Sequence, residues 1–577
     1  MKYLRPTPPI FQQRGAVFIV MLVIMIMGVT FFLVSALSKV SLQTARNEIS
    51  ADLLAQSKDA VIGYAINNIG RPGNLPFPDR LVGPPEAGGP SNYDGDQDGC
   101  PGLSGCLGRL PWRTLGMSID SPSETDPTGS MPWYAVSANM VDPVGVVFNS
   151  ELLNSAPHPW LTVRDMQGKV LSDRVAFIVM IPGVPQPGQS RLNSPNLGGA
   201  SQYLDEIIVP PCTAPCISGT FTNYNSDESF VTGDEHRWID DPANPGIQIE
   251  DSTYHFNDKL LYVTIDELMP LIEKRIAREV KSCLDSYAAT SAAKYPWAAP
   301  VSDTASYLGT YNTLFGRISI TPSNVITSDT TVPSFVDTLN QLQTALNTYN
   351  NQHNATNLSA LILAGQTLQG LVDPAPSGIP SSVANPAENA AETAADLSTP
   401  TPSNPDLVNI QTSLNQAYTG LNNAGIIDGS MHTTWSCSLL TTPGNYWSDW
   451  KNLVYFQLAG GYRPGSVPAC GSSCLTVYGS GNTNAGNGTY RAVVIVAGKK
   501  FLGQTRATPS ANPPTDYLAN NTSEISADPL FVTNAHDNAS LTRTFITYKP
   551  ADTYYQSVND LILCLDGKGI NPASLCQ

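Results

Sequence analysis

The chain has 577 residues and a formal net charge of −17, and charged residues make up only 14% of the sequence. This length leaves room for several domains with full cores, and the acidic balance argues against nucleic-acid binding, which normally needs a basic face. The ten cysteines are an even number, which favours disulfides formed in an oxidising compartment.

A long helix is the first predicted element. Residues 16–37 carry no charge, and a helix of that length spans about 33 Å, enough for the core of a bilayer. The preceding residues 1–15 include Lys2, Arg5 and Arg14, and basic residues beside a span tend to stay cytoplasmic. The pattern therefore predicts a single-pass inner-membrane protein with a short cytoplasmic N-terminus and a periplasmic or extracellular body.

Helical periodicity continues beyond this apolar run. Neither Pro nor Gly occurs between Val29 and Ile62, and apolar side chains recur at three- and four-residue steps or their multiples. The sequence from Gly70 to Gly73 then breaks the helix. We predict one rod over residues 16–67, transmembrane in its first half and amphipathic in its second. The periodic residues are Leu42, Ala45, Ile49, Leu53, Ala60 and Tyr64.

The start of this rod resembles the N-terminus of type IV prepilins and pseudopilins, in which a basic residue and a Gly precede the apolar helix. Here that pair is Arg14-Gly15. The resemblance implies that a prepilin peptidase cleaves after Gly15 and methylates the new terminus, Ala16. Common pilins carry a Glu five residues into the mature chain, whereas this chain has Val20, a position at which tip pseudopilins and some minor pilins also vary. A plain single-pass anchor or a signal peptide is the alternative.

Strand-like runs follow a segment rich in Gly and Pro. The runs are Trp133–Val136, Leu161–Val163, Val175–Ile181 and Leu260–Val263. The third is a continuous apolar run, typical of a strand buried on both faces. Thr264 and Glu267 then form a capping box that opens a helix. Its predicted buried stripe contains Ile265, Leu268, Ile272, Ile276, Val280, Cys283 or Leu284, and Tyr287.

The two halves of the chain indicate an internal duplication. Nine short segments recur in the same order, and together they predict two modules, each with one helix followed by a mostly antiparallel sheet. The matched pairs are Gly63–Ala65 with Ser286–Ala288, Pro78–Asp79 with Pro300–Asp303, Gly108–Leu110 with Gly316–Ile318, Leu161–Val163 with Leu475–Val477, Arg174–Val179 with Arg491–Val496, Gly188–Arg191 with Gly503–Arg506, Tyr203–Leu204 with Tyr517–Leu518, Phe230–Thr232 with Phe531–Thr533, and Asn257–Asp258 with Asn559–Asp560.

The tandem arrangement also resembles large prepilin-like proteins of proteobacteria. The segments that carry this resemblance are Arg71–Asp79, Leu107–Gly116, Tyr295–Pro300 and Ala497–Arg506. Together with the duplication, it implies an α+β fold in which a long N-terminal transmembrane/amphipathic helix is followed by two tandem pilin-like modules. The predicted domains are a prepilin-type leader at 1–15, the rod at 16–67, a first module at 68–263, a second module at 264–324 and 436–577, and a helical, Pro-rich insertion at 325–435.

The insertion within the second module contains two helical stripes, from Phe335 to Tyr349 and from Leu407 to Leu421. Seven prolines between Asp373 and Pro405 predict a flexible linker between these helices. A partner-binding helical hairpin and a solvated elaboration packed on the sheet are both compatible with this pattern.

Eight of the ten cysteines lie close in sequence to another cysteine, which suggests four disulfides, and the remaining two are then predicted to pair with each other. The predicted disulfides are Cys100–Cys106, Cys212–Cys216, Cys470–Cys474, Cys564–Cys576 and Cys283–Cys437. The alternative is a four-cysteine zinc site formed by the two CxxxC segments that begin at Cys212 and Cys470.

One acidic loop has the composition of a cation site. Asp94, Asp96 and Asp98 alternate before Gly99, and alternate carboxylates in a sharp turn suit calcium, which prefers oxygen ligands. An EF-hand would place Glu six residues after this Gly, where the chain has Gly105. Calcium is therefore the one cofactor that the sequence suggests, and a solvated acidic turn is the alternative.

No catalytic motif is present, and the six histidines show no metal-ligand spacing, so we predict that the chain is not an enzyme. The expected function is that of a structural minor or tip subunit of a type IV pilus or type II secretion-like pseudopilus. Its expected partners are other pilin or pseudopilin subunits, the inner membrane and the prepilin peptidase. A pilin-anchored surface adhesin and, less favoured, a membrane-anchored periplasmic enzyme are the alternatives.

Overall fold

The fold is known from a computed structural model that describes the chain in segments. The described residues are 14–80, 94–100, 106–118, 131–141, 146–189, 191, 199–209, 218–225, 228–233, 238–241, 244–250, 256–291, 293–304, 307, 309, 313–319, 331–376, 379–397, 402–423, 437–441, 445–463, 468–470, 473–478, 489–501, 504–506, 514–519, 538–539, 544–546 and 559–566. Among these, the side chains of residues 14–20, 28–43, 238–241, 244–250, 290, 331–333, 422–423, 441, 544 and 546 are not part of the description.

The chain divides into two compact units, each built from several stretches of sequence. The first comprises Met1–Gly63, Pro76–Val141 and Pro159–Val263, and the second comprises Tyr64–Leu75, Asp142–His158 and Thr264–Gln577.

Two helices and ten strands are described in the first unit, and the end of the first helix continues into the second unit. They are α1 (Arg14–Asn67), β1 (Cys106–Arg109), β2 (Trp133–Val136), α2 (Ala138–Val141), β3 (Leu161–Arg164), β4 (Val170–Ile181), β5 (Glu206–Val209), β6 (Gly219–Thr222), β7 (Ser229–Val231), β8 (Trp238–Asp241), β9 (Asn244–Glu250) and β10 (Lys259–Thr264).

A six-stranded sheet forms the centre of the first unit. Its strand order is β1-β2-β4-β3-β7, and β10 also pairs with the long strand β4. Strands β1, β2, β4 and β3 pair antiparallel, whereas β3 and β7 run parallel, with Val163 opposite Phe230. Two antiparallel pairs lie outside this sheet, β5 with β6 and β8 with β9.

Both faces of the central strands are buried. All four residues of β2 and the residues of β4 from Val175 to Ile181 are buried. Trp133, Ile178 and Tyr203 belong to one hydrophobic core cluster of this unit. A strand covered on both sides needs apolar residues at successive positions, which is why these two sequences do not alternate.

Helix α1 buries one stripe of side chains and exposes another stretch. Leu53, Leu54, Ser57 and Val61 are buried, at the spacing of one helix face. The side chains of Met21–Met27, by contrast, are all between 44% and 70% exposed. The described part of α1 therefore combines a buried stripe with a separate exposed apolar stretch.

The predicted membrane span is wrong. Among the helices whose residues are described, none is long and apolar enough to cross a bilayer. The predictions of a transmembrane N-terminal helix and of a single-pass inner-membrane location are corrected accordingly, and the mixed α+β class is what remains of the predicted fold.

Seven helices and six strands are described in the second unit. They are α3 (Ile265–Thr290), β11 (Phe315–Arg317), α4 (Thr331–Asn351), α5 (Ala355–Val372), α6 (Ser381–Ala395), α7 (Asn404–Asn423), α8 (Ser438–Thr441), α9 (Trp447–Trp450), β12 (Val454–Leu458), β13 (Thr476–Tyr478), β14 (Ala492–Val496), β15 (Thr544–Ile546) and β16 (Leu561–Leu565).

Helix α3 covers a four-stranded antiparallel sheet. The strand order is β11-β12-β14-β16, and α3 packs on β14 and β16. The helix begins at the capping box, because Thr264 Oγ1 accepts a hydrogen bond from Glu267 N at 3.2 Å. Its buried stripe follows the prediction, with Leu284 rather than Cys283 buried: Ile265, Leu268, Ile272, Ile276, Val280, Leu284 and Tyr287.

Helices α4, α5, α6 and α7 form a four-helix bundle with a core of its own. The predicted flexible linker between Asp373 and Pro405 is wrong, because α6 lies inside it. Small alanine side chains let α6 approach its neighbours closely, and they give it a buried face despite the low hydropathy of the segment. The buried residues of α6 are Val383, Ala384, Ala387, Ala390, Ala391 and Ala394.

The two units repeat the same strand pattern. Strands β1-β2-β4-β10 of the first correspond to β11-β12-β14-β16 of the second, and the parallel pair β3 with β7 corresponds to β13 with β15. The parallel ladders place Phe230 opposite Val163 and Phe545 opposite Val477. The structural counterpart of Phe230 is therefore Phe545 and not the predicted Phe531, which lies outside the described residues.

Two further predicted matches between the repeated segments of the two units are shifted along the sequence in the structure. Ser137 N donates to Ala176 O, and Ala459 N donates to Arg491 O in the same place, so Arg491 corresponds to Ala176 rather than to Arg174. A shift of two residues leaves every side chain on the same face of a strand, which is why the apolar pattern alone does not reveal it.

The second shifted match lies at the sheet edge. Asp79 exchanges two backbone hydrogen bonds with Arg109, and Ala299 exchanges two with Arg317. Asp79 therefore corresponds to Ala299, not to Asp303.

A glycine precedes each of these arginines because another backbone passes close to it. A Cβ on Gly108 would lie 2.4 Å from Asp79 O, and a Cβ on Gly316 would lie 1.9 Å from Ala299 O. Contacts below 3 Å with backbone cannot be relieved by a side-chain rotation, so the edge segment would have to move.

We expect Gly316→Ala to lower the free energy of unfolding by about 1–3 kcal/mol, because the new Cβ collides with the Ala299 carbonyl. The matched control is Gly370→Ala in α5, where a Cβ meets nothing within 4 Å and where alanine favours the helix by about 1 kcal/mol. Chemical denaturation of both variants measures the difference. Equal stabilities would contradict the close approach at Gly316.

Candidate functional site

In the first unit, one arginine joins the end of strand β4 to a distant loop. Arg191 donates from Nη1 to Gly183 O at 2.6 Å and from Nη2 to Tyr203 O at 2.9 Å. Nη2 also donates to Gln189 Oε1 at 3.1 Å, and Gln189 Nε2 donates to Asp205 Oδ1 at 2.9 Å. This is the turn predicted from the Gly-Gln-Ser-Arg sequence, in which the arginine binds backbone carbonyl oxygens.

The second unit contains the same arrangement. Arg506 donates from Nη1 to Gly498 O at 2.9 Å and from Nη2 to Tyr517 O at 2.8 Å, and Nη2 also donates to Gln504 Oε1 at 3.3 Å. Here the arginine has an additional ion pair, because Nη1 lies 2.7 Å from Glu151 Oε1 and the Arg506 side chain is only 2% exposed. The two networks therefore match atom for atom in their backbone contacts.

A second arginine in each unit is completely buried. The guanidinium carbon of Arg109 lies 4.1 Å from the centre of the Trp133 ring and 4.3 Å from that of Tyr203. Arg317 has the same setting between Tyr455 and Tyr517, at 5.2 Å and 5.6 Å. Aromatic faces attract a cation, and the rings thus help to offset the cost of burying its charge.

Each unit also buries an aspartate that caps a loop. Asp258 Oδ2 accepts from Asp205 N at 2.7 Å and from Asn223 Nδ2 at 3.0 Å. Asp560 Oδ2 accepts from Ala519 N at 2.6 Å and from Asn538 Nδ2 at 3.1 Å. Burial raises the pKa of Asp258 well above its usual range, and the nearby Asp205 carboxylate raises it further.

The pKa of Asp560 is also raised, but it stays closer to the ordinary value for Asp than that of Asp258. Burial raises its pKa to about 6, although hydrogen bonds from Ala519 and Asn538 and the charge of Arg506 oppose the shift. The position of Asp205 is occupied by Ala519 in the second unit, so no carboxylate adds repulsion there. The difference between the two aspartates therefore follows from one substitution between the units.

We expect the free energy of unfolding to fall as the pH rises from about 4 to about 6, because the folded chain retains a proton on Asp560 that the unfolded chain has lost. The loss attributable to this group should be on the order of 3 kcal/mol and complete above the folded pKa. Asp560→Asn retains an oxygen that can accept both hydrogen bonds, and it should remove this component. The measurement is the difference in unfolding free energy between wild type and variant across this pH range. A pH-independent difference would refute the assignment.

The buried arginine networks fix the loops of each unit. Most donors of Arg506 are taken by backbone oxygens, and the same is true of Arg191, so a substrate would have to displace structural contacts. We therefore interpret the two repeated Gly-Gln-Ser/Thr-Arg segments as structural features rather than as binding sites.

We expect Arg506→Met to lower the free energy of unfolding by about 3–5 kcal/mol, because it leaves the carbonyl oxygens of Gly498 and Tyr517 buried without a donor and Glu151 without its ion-pair partner. Arg113→Met is the control, since the Arg113 side chain is 55% exposed and its ion pair with Asp96 is exposed as well. Denaturant titration should leave the control within about 0.5 kcal/mol of wild type. A comparable loss in both variants would contradict this account.

The acidic loop, defined as residues 94–100, directs its carboxylates to different protein groups. Asp94 Oδ1 accepts from Asp96 N at 3.0 Å, and Asp98 Oδ2 accepts from Arg80 N at 2.7 Å. Asp96 forms an exposed ion pair with Arg113 at 3.0 Å. In the described part of the chain, no three His, Cys, Asp or Glu side chains are grouped as a metal site requires. Calcium binding by Asp94, Asp96 and Asp98 stays a prediction.

Three of the predicted cysteine pairs are disulfides in the structure. They are Cys100–Cys106, Cys283–Cys437 and Cys470–Cys474. Cys564 is also disulfide-bonded, whereas Cys212, Cys216 and Cys576 lie outside the described residues. The disulfide between Cys470 and Cys474 leaves neither sulfur as a thiolate, which is the form that the alternative zinc site would need.

The predicted processing site lies at the beginning of helix α1. Gly15 and Ala16 are helical residues of its first turn, and their side chains are outside the description. Cleavage after Gly15 and methylation of Ala16 therefore stay predictions.

One groove runs along the surface of the four-helix bundle. It has a volume of about 440 Å³ and lies between α4 and α5. Its lining is uncharged, and Leu363 on its wall is 63% exposed. The lining residues are Asn340, Gln341, Thr344, Ala345, Ala360, Leu363, Ala364 and Thr367.

Neither protein-family models, nor curated proteins, nor solved structures gave a match to this chain.

Proposed function

We propose that the chain is a structural subunit that joins a filament of the type IV pilus or secretion-pseudopilus kind through the apolar N-terminal part of helix α1. The observation that carries this proposal is the exposure of Met21, Leu22, Val23, Ile24 and Met25, which ranges from 44% to 70% over five successive positions. Successive large apolar side chains exposed around a helix favour a partner surface, because a contiguous apolar patch in water is costly.

The partner that suits this surface is an apolar helix of another subunit. The exposed side chains point around the whole circumference of α1, since five successive residues turn through more than one helical turn. A helix with apolar residues all round is stable when other helices surround it. Burying each Met, Leu or Ile side chain contributes about 1.5–3 kcal/mol, so one turn of helix supplies an association energy of useful size.

A structural role, rather than catalysis, also fits the titratable groups. Asp258 and Asp560 are buried in loop networks, and the buried Arg109 and Arg317 contact aromatic rings. These groups serve the stability of their own unit, and we infer that the chain is not an enzyme.

A second candidate function is that of a filament-displayed adhesin or ligand-binding protein. It is favoured by the groove between α4 and α5, where the exposed Leu363 offers an apolar contact next to polar groups such as Asn340 and Thr344. In this case the four-helix bundle is the contact surface.

We expect Ile24→Asp to lower incorporation of the chain into sheared filaments by at least about tenfold, because a carboxylate in an apolar helix interface is costly. The control is Leu363→Asp, which introduces the same charge at a site of similar exposure in the bundle. Quantitative immunoblotting of filaments, with circular dichroism of each purified variant, reads the result. If only Leu363→Asp impairs function, through lost ligand adhesion with normal incorporation, the adhesin is the better assignment. Unchanged behaviour of Ile24→Asp would overturn the filament proposal.

We also expect the mature chain to begin at Ala16 with a methylated amino group, as the resemblance to prepilins implies. Mass spectrometry of the N-terminal peptide from the native host decides this. An intact Met1 would argue against prepilin processing.

A further inference from the structure

Helix α3 carries the densest group of basic residues in an acidic chain. Four of the eight residues from Lys274 to Lys281 are basic, whereas the whole chain has 31 basic residues against 48 acidic ones. Two of these four residues form ion pairs with acidic residues one turn further along α3. The pairs are Arg275 with Glu279, at 2.8 Å, and Lys281 with Asp285.

The other two basic residues, Lys274 and Arg278, lie four residues apart on the side of α3 opposite its buried stripe, and Leu271 lies on the same side. Arg278 is exposed, Leu271 is 38% exposed and Lys274 is half-buried. Partial burial lowers the pKa of Lys274, and the positive charge of Arg278 lowers it further. Cations at this spacing repel each other, so they do not stabilise the helix itself. We refer to Leu271, Lys274 and Arg278 as the basic face of α3.

Nearby acidic residues of α3 are held by other groups of the second unit. Glu273 is 1% exposed, and its Oε1 accepts a hydrogen bond from Ser150 Oγ at 2.7 Å. Glu279 accepts hydrogen bonds from Arg275 and from the hydroxyl of Tyr446. The basic face therefore favours an acidic partner from outside the unit.

Helix α1 has the opposite charge on its outer side. Glu48, Asp52 and Asp59 follow one another at steps of four and seven residues, so they share one side of the helix, and all three are exposed. The two basic residues between positions 44 and 63, Arg46 and Lys58, instead lie at four-residue spacing from the buried stripe. We refer to Glu48, Asp52 and Asp59 as the acidic face of α1.

The two faces occupy corresponding sides of corresponding helices. When Gly63 is aligned with Ser286, as the sequence repeat suggests, five buried residues of α1 align with five buried residues of α3. Both helices therefore bury the same side, and the outer side is acidic in the first unit and basic in the second. The aligned buried pairs are Ser50 with Glu273, Leu53 with Ile276, Ser57 with Val280, Val61 with Leu284, and Ala65 with Ala288.

We propose that the basic face of α3 docks on the acidic face of α1 in a second copy of this chain. Glu48 and Asp52 have the same spacing as Lys274 and Arg278, about 6 Å along a helix, so two ion pairs can form in one contact between helices. Because the contact joins two different surfaces, each copy retains one face for the next copy, and assembly proceeds head to tail. The contact does not involve Met21–Met27, and it goes beyond the filament proposal by naming a second surface between copies.

Each face also has a large apolar side chain beside its charges. Leu271 belongs to the basic face, and Ile49, which follows Glu48, is 52% exposed. Exposed ion pairs alone contribute little to stability, whereas removal of apolar area from water is favourable. The apolar side chains therefore strengthen the contact, and the charges select the partner.

An anionic membrane fits the basic face less well than a second copy does. Polybasic segments that bind such membranes contain roughly four to eight cations, whereas the basic face has Lys274 and Arg278. Glu267 and Asp285 lie on the same side of α3, seven residues before the first of these cations and seven after the second. Their carboxylates repel anionic head groups, and a short basic surface between acidic ends suits a narrow partner such as a helix.

The test begins with analytical ultracentrifugation of the full-length chain carrying Ile24→Asp, which removes the apolar contact of the filament proposal. We expect this variant to self-associate at low salt. Its dissociation constant should rise at least about tenfold between about 0.05 M and 0.5 M salt, because salt screens exposed charges. Failure of the filament proposal leaves this result unchanged, since Met21–Met27 takes no part in it.

Reversal of the charges on either face, in the same Ile24→Asp chain, should weaken self-association at least about tenfold. A chain that carries both reversals should associate again, because its two faces remain complementary with the signs exchanged. Loss of folding cannot produce this rescue, and circular dichroism verifies the fold of each variant. The reversals are Lys274→Glu with Arg278→Glu on α3, and Glu48→Lys with Asp52→Lys on α1.

The matched control is Arg113→Glu with Lys169→Glu, which changes the net charge as much as the α3 reversal does but at exposed sites of the first unit. It should leave the dissociation constant within about twofold. Absence of self-association at low salt, an equal loss in the control, or a folded chain with both reversals that does not associate would overturn the proposal. An α3 reversal that leaves self-association unchanged but abolishes binding to phosphatidylglycerol vesicles would overturn it in favour of a membrane surface.

Discussion

The structure depends on one guanidinium in each unit that supplies donors to backbone carbonyl oxygens beyond the strands. Loops that cover a sheet bury carbonyl groups which no neighbouring strand can satisfy, and an unsatisfied buried carbonyl is costly. Arg191 and Arg506 meet this need, because a planar guanidinium carries five donors and loses little freedom once it is fixed. Gly183 and Gly498, whose carbonyls accept, also leave room for Asn257 and Asn559, since a Cβ would lie about 2.3 Å and 2.2 Å from them.

The sequence is informative wherever local chemistry alone determines the structure. The continuous apolar run of β4 predicts a strand buried on both faces, and Thr264 with Glu267 predicts the start of α3. The Gly-Gln-Ser/Thr-Arg repeats predict arginines that bind carbonyl oxygens, because few other residues suit such turns. In each case the determining residues lie within a few positions of one another.

Predictions fail where contacts between residues that are far apart in the sequence determine the structure. Helix α6 consists mainly of alanine and polar residues and contains a proline, Pro386. Its helical conformation depends on α5 and α7, against which it packs. Arg491 was misaligned by two residues because apolar strands look alike after such a shift. Sequence comparison favours Phe531 over Phe545, because residues 531–533 are identical to residues 230–232, whereas the segment around Phe545 is only similar to them. The setting of Asp79 depends on Gly95 and Arg109, which approach it only in the folded chain.

The membrane prediction shows the same limit from another side. Hydropathy treats residues 16–37 as one apolar run, whereas none of the helices in the described part of the chain is long and apolar enough to cross a bilayer. The exposed side chains of Met21–Met27 favour contact with an apolar partner. A helix surrounded by apolar helices and a helix surrounded by lipid both need apolar residues on all sides, so composition alone does not distinguish the two environments.

The disulfide between Cys283 and Cys437 has a mechanical consequence. It joins α3 to the residue before α8 across a sequence separation of 154, and the four-helix bundle lies entirely within the closed loop. A pulling force applied along the chain passes through this covalent bond instead of through the bundle. Stretching can therefore never release the loop, whose extended contour would be about 500 Å. The bundle is shielded from tension, and a chain that is pulled at its ends keeps it folded.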